Sequence, residues 1–231
     1  MTQYHQKKIA MINDLSGYGR CSLTVAIPVL SAMGHQCCPI PTAILSNHTE
    51  FPVYFFDDYT EKMTTYTDKW KELGLSFDAI ATGFLGSEAQ IGIVMEIVQK
   101  LKAEKTFVVV DPVMGDHGHA YETYTPEMCE QMKELVCMAD IVLPNVTECC
   151  ILTDTPYREE NWTRKELLNM AMMLRLMGAK SVVITGVREG SCYTNVVLEQ
   201  GQYDAKFIRT RSSGGERPGT GDVFSSVVAG A

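Results

Sequence analysis

Short apolar runs alternate along this chain with longer stretches in which apolar residues recur every three or four positions. The runs Lys8–Asn13 (KIAMIN), Gln36–Leu45, Ala79–Gly83, Thr106–Val110 (TFVVV), Ile141–Leu143 and Ser181–Thr185 predict strands. The helical spacings fall at Cys21–Met33, Tyr59–Leu73, Glu88–Ala103, Thr125–Cys137, Thr163–Met177 and Val223–Ala231. Thr106–Val110 ends in three valines, as a parallel strand buried on both faces requires. Pro39 and Pro41 interrupt the second run and place it near a sheet edge. Trp70 and Leu73 mark one side of the Tyr59–Leu73 helix, and the methionines of Thr163–Met177 read as core filler. Thr125 and Pro126 suit the N-cap and first position of their helix, and Gly178 the end of another. Ser191–Leu198 and Gln202–Ile208 predict a hairpin across Glu199-Gln200-Gly201. Strand–helix alternation through most of the chain predicts an α/β fold with a mostly parallel sheet and helices on both faces.

Composition narrows the function. The 231 residues suit one domain of ordinary size. A net charge of -8 argues against a nucleic-acid or anionic-membrane surface. No apolar run is long enough to span a bilayer, and MTQYHQKKIAMIND contains no signal-peptide core. Eight cysteines without a CxxC, in an unsecreted chain, read as reduced and mostly buried thiols.

Polar clusters punctuate the ends of the predicted strands: Ser16, Asp111 with Asp116, Asn145 with Glu148, and Thr185. Parallel strands would bring these ends to one edge, where open α/β sheets bind ligands. The first turn is not a dinucleotide fingerprint, because Ser22 stands where the third glycine is needed. No GxxxxGK[ST] occurs either. Arg217-Pro218-Gly219-Thr220-Gly221-Asp222 opens the last helix. A helix start presents free N–H groups to an anion, and glycine lets the anion approach. An acid beside such a cradle suggests phosphoryl transfer; read alone, the stretch is better taken as a helix cap, Asp222, behind a glycine loop.

DPVMGD (Asp111–Asp116), PNVTE (Pro144–Glu148), ITG (Ile184–Gly186) and RPGTGD (Arg217–Asp222) resemble the ribokinase superfamily. SNHT (Ser46–Thr49) and the Ser16-Gly17-Tyr18-Gly19 turn resemble its pyridoxal (vitamin B6) kinase branch. The resemblance implies a three-layer ribokinase-like sandwich over residues 1–231, without a separate lid domain and truncated at its C-terminus. It implies transfer of the ATP γ-phosphate to the 5′-hydroxymethyl of a B6 vitamer, with Mg²⁺ and a monovalent cation such as K⁺ as the ions to test. Asp222 would be the base, and Gly219, Thr220 and Gly221 the anion hole. Ser16, His48, Thr49, Phe84 and Tyr124 would face the substrate. Asp111, Asn145, Glu148, Thr185, Arg217, Pro218, Gly219 and Gly221 would serve ATP, and Asp111, Asp116 and Glu148 its metal, directly or through water. A cytoplasmic homodimer is implied. The rival readings are a hydroxymethylpyrimidine kinase of the same superfamily, a non-catalytic vitamer or nucleotide binder, and a structural oligomer.

Overall fold

The computed structural model describes residues 6–49, 51–215 and 217–231. Met1–His5, where the N-terminal reading begins, and Glu216, in the approach to the last helix, lie outside the described residues. The chain divides into two compact units, one of residues up to Val109 with Arg217–Ala231, the other Val110–Glu216.

The first unit contains β1 (Lys8–Ser16), α1 (Leu23–Ala32), β2 (Gln36–Leu45), β3 (Phe56–Asp58), α2 (Thr60–Glu72), β4 (Ala79–Thr82), α3 (Glu88–Leu101) and β5 (Phe107–Val110), whose last residue belongs to the second unit. The second continues with β6 (Gly115–Asp116), β7 (His119–Ala120), α4 (Pro126–Cys137), β8 (Ile141–Val142), α5 (Val146–Leu152), α6 (Arg164–Met177), β9 (Ser181–Glu189), β10 (Cys192–Leu198) and β11 (Lys206–Arg211). The closing helix α7 (Thr220–Gly230) returns to the first unit.

In the first unit the strand order is β3-β2-β1-β4-β5, with β1 parallel to β2 and to β4, and β3 antiparallel to β2. The step from β1 to β2 runs one way across the sheet and those toward β4 and β5 the other. Right-handed crossovers then put α1 on one face and α2 and α3 on the opposite face. The packing agrees: α1 lies on α7, and α2 on α3. Ile9 to Ile12 are buried on both sides of β1, as are Ile80 and Ala81 of β4. In the second unit β8 and β9 are parallel, and β9-β10-β11 form an antiparallel meander that contains the expected hairpin. The mostly parallel α/β reading holds.

β2 does lie near the edge, second from it: β3 covers it, but only along Ala43–Leu45. Pro39 and Pro41 therefore keep an outer side with no ladder to break. Other local readings need correction. α2 buries Met63 and Thr67, whereas Leu73, its C-cap, is 72 % exposed. In α6 the buried positions are Leu167, Met170, Ala171 and Leu174, and Met173 faces outward. The eight cysteines are free as expected, but only Cys149 and Cys150 are buried. Among the described residues no helix is long and apolar enough to cross a membrane.

Candidate active site

The first unit gathers polar groups around the start of α7. Gly219 is the N-cap, in the left-handed region at φ 80, and has no side chain to cap with. An added Cβ there would overlap the Arg20 carbonyl, so both conformation and space demand glycine. The first intrahelical bond runs from Val223 N–H to Gly219 O (3.0 Å). The N–H groups of Thr220, Gly221 and Asp222 thus have no acceptor within the helix, and the positive end of its dipole is uncapped. Thr220 Oγ1 donates to Arg217 O (3.3 Å), which closes the turn; Arg217 and Pro218 are exposed.

Asp222 occupies the third helical position. Its carboxylate does not fold back onto its own N-cap. Oδ1 accepts from Asn13 Nδ2 at 3.2 Å, and the Ser22 N–H is a second donor. Burial holds the Asp222 carboxyl above its ordinary range, and these two donors oppose that shift. Asp14 stands beside it on β1, 5 % exposed, and its Oδ2 accepts from Ser16 Oγ (2.9 Å). Its carboxyl is also raised, chiefly by burial and further by the Asp222 charge, against hydrogen bonds from Ser22 and Ser16.

The remaining first-unit candidates line two linked loops. Gly17 N–H donates to Leu45 O (2.9 Å) and His48 N–H to Tyr18 O (3.2 Å). The His48 ring packs on Gly19, where a Cβ would overlap it, and tilts against Phe51 at 4.7 Å between centroids. Thr49 is exposed nearby in sequence. Phe84 is half-buried; its N–H donates to Asn13 Oδ1 (2.9 Å) and its carbonyl accepts from Thr42 Oγ1 (3.0 Å). Asn13 and Asp14 were not legible as site residues. The only signal was a pair of polar residues closing an apolar run.

The second unit holds the other acids. Asp111 is half-buried at the end of β5. Val113 follows at φ 45, a conformation β-branched residues rarely adopt. Glu148 ties this turn to α5: Oε1 accepts from Met114 N–H (2.9 Å) and Oε2 from Asn145 N–H (2.8 Å). Asn145 Oδ1 accepts in return from Glu148 N–H (2.9 Å), which completes a capping box, and Asn145 Nδ2 donates to Gly115 O (2.8 Å). Glu148 is 3 % exposed, and burial pushes its carboxyl up to about 7 against the pull of those N–H groups. Thr185 bridges Asn145 and gives its N–H to Pro144 O (2.9 Å). Asp116 is exposed, and its Oδ1 accepts from His117 N–H (2.8 Å). Tyr124 is buried and its hydroxyl donates to Pro112 O (3.1 Å), which commits its polar end to the Asp111 turn. The structure thus brings Asp111, Asp116, Asn145, Glu148 and Thr185 to one end of the second unit's β-structure.

Residues 26–231 match the family model described as phosphomethylpyrimidine kinase. A crystal structure from Bacteroides thetaiotaomicron, assigned provisionally as a phosphomethylpyrimidine kinase, is 40% identical and superposes with a TM-score of 0.95 over 100% of this chain and 80% of its own. Its orthorhombic form, with pyridoxal, is 41% identical with a TM-score of 0.92 over 98% of this chain and 80% of its own. Among curated proteins, the pyridoxal kinase of Dictyostelium discoideum is 26% identical over 242 residues, 97% of this chain and 78% of its own length.

Proposed function

The chain belongs to the phosphomethylpyrimidine kinase family, and on that premise we propose that it is a B6-vitamer kinase. It transfers the γ-phosphate of ATP to the 5′-hydroxymethyl of pyridoxal, pyridoxine or pyridoxamine. Curated relatives named as pyridoxal kinases and the pyridoxal complex at 41% identity support this acceptor class. The observation that carries the chemistry is Asp222, a half-buried acid held at an uncapped helix start by Asn13 and turned away from its own cap.

A primary alcohol is about as weakly acidic as water. Asp222 cannot remove its proton beforehand. It orients the hydroxyl oxygen and takes the proton as the new P–O bond forms, and the raised carboxyl makes it a better acceptor than an exposed aspartate. The N–H groups of Thr220, Gly221 and Asp222 stabilise negative charge developing on the transferred group. Ser16, His48, Thr49 and Phe84 hold the ring. Asn145, Thr185, Arg217 and Pro218 serve the nucleotide, and Tyr124 acts through the Asp111 turn.

Among the described residues no group of three or more His, Cys, Asp or Glu side chains could hold a metal by itself. Mg²⁺ keeps several waters and takes further ligands from phosphate oxygens, so it asks for only one or two carboxylates. Asp111 and Asp116 would hold it. Glu148, with an N–H on each oxygen, would act through water. The ion would neutralise phosphate charge. K⁺ activation, a homodimer and a cytoplasmic location belong to the same reading and are tested by ion titration, light scattering and fractionation.

The family description, phosphomethylpyrimidine kinase, keeps a pyrimidine as the second acceptor class, and hydroxymethylpyrimidine is its alcohol to test. Product formation with Mg-ATP and pyridoxal, pyridoxine, pyridoxamine or hydroxymethylpyrimidine separates the two. The proposal expects a B6 vitamer to show the highest kcat/KM. A clear preference for the pyrimidine overturns the acceptor, and no transfer to any of them overturns the kinase reading.

A further inference from the structure

We propose that Asn13 is a positioning residue for phosphoryl transfer: a locked amide in the second half of β1 that holds the Asp222 carboxylate in the orientation from which it accepts the proton. This rests on the reading of Asp222 as the base.

The lock follows from hydrogen-bond inventory. Asn13 Oδ1 accepts from two backbone donors, Phe84 N–H at 2.9 Å and Asp14 N–H at 3.0 Å. A flipped amide would set N–H against N–H at both points, so the assignment is forced by the backbone. Nδ2 must then point at Asp222 Oδ1, 3.2 Å away. Asn13 is 1 % exposed, so water does not substitute for either partner. The parts that hold it are themselves held. Phe84 O accepts from Thr42 Oγ1 (3.0 Å), and Thr42 O accepts from Gln90 Nε2 (2.8 Å). A Cβ at Gly83 would overlap the Asn13 amide, so glycine there makes its room. β1 changes register between Asn13 and Leu15, which sets Asn13 apart from the regular ladder.

The charge balance shows why a donor is needed. Asp14, buried, and Asp222, half-buried, are like charges side by side, and the Cys21 thiol, also raised by burial, faces the same group. Asp14 takes its donors from Ser16 and Ser22. Asp222 has the Ser22 N–H and Asn13. Removing the Asn13 donor leaves Asp222 with one hydrogen bond against burial and a neighbouring carboxylate.

The tests separate orientation from folding. Asn13→Ala lowers kcat about 10- to 100-fold, the worth of a hydrogen bond to a charged group, and leaves KM for ATP within about 3-fold. Asn13→Asp still accepts from both backbone N–H groups, but donates to Asp222 only while protonated. Its kcat therefore falls as pH rises from 6 to 9, a trend that general loosening does not produce. In the unsubstituted protein the Asn13 NH₂ resonances shift as Asp222 titrates. Asp222→Asn is run alongside. If Asp222→Asn keeps its turnover, the base reading fails and takes this inference with it. If Asp222→Asn is inactive while Asn13→Asp keeps the native pH profile, or the Asn13 resonances ignore the Asp222 titration, the inference alone is overturned.

Discussion

Asp222 and Glu148 occupy the same place in their helices, the third position after the N-cap, and do opposite things there. Glu148 follows an Asn N-cap and spends both oxygens on backbone N–H groups, one at its own cap and one across the Asp111–Asp116 turn. Asp222 follows a Gly N-cap, reaches no N–H of its own cap, and is held by Asn13 and Ser22 instead. Two features decide the difference. Glutamate has the extra methylene that a capping box needs, and asparagine returns the bond while glycine cannot. The same acid position closes one helix start and leaves the other open to an anion. Glu166 of α6 is an exposed third case, a capping box with Thr163.

That contrast can be broken from either side. Glu148→Ala strips the acceptor from Met114 and Asn145 N–H groups in a buried setting and should cost about 2–5 kcal/mol of stability, read as a fall in Tm. The folded Glu148 carboxyl is raised from 4.5 to about 7, so the folded state keeps a proton the unfolded state has released. Stability contributed by this group is present below about 4.5 and lost as pH rises toward about 7; Glu148→Ala should flatten that part of the pH–Tm curve. Asp222→Glu lengthens the acid by one methylene and displaces its oxygens from the acceptor. It should cut kcat about 10²-fold with little change in Tm, which kinetics beside a melting curve will show. Gly219→Ala meets both a positive φ and the Arg20 carbonyl, and should cost about 1–3 kcal/mol and some turnover together. Glu166→Ala should lower Tm least of these, because its box is exposed to solvent.

The fold was legible where periodicity was strong. β1, α3 and β5 lie within a few residues of the expected positions because each is a sustained apolar pattern. β3 carries only Phe-Asp-Asp and pairs along three residues, and β6 and β7 have two residues each, so no pattern could announce them. The short helix α5 was hidden inside a cluster noted only for its polar residues, although Asn145-x-x-Glu148 is a capping-box spacing. In the site, Gly219 and Asp222 were visible because glycine and acid at a helix start are local facts. Asn13 was not, because its importance comes from Phe84 and Asp222, 71 and 209 residues away in sequence. Only tertiary structure supplies those partners.

The account stands most directly on the turnover of Asp222→Asn with pyridoxal and saturating Mg-ATP, measured on protein whose melting temperature matches the native one. Removal of the proton acceptor while the shape is kept should lower kcat about 10²- to 10⁴-fold. A kcat within about 3-fold of native would contradict the role given to Asp222.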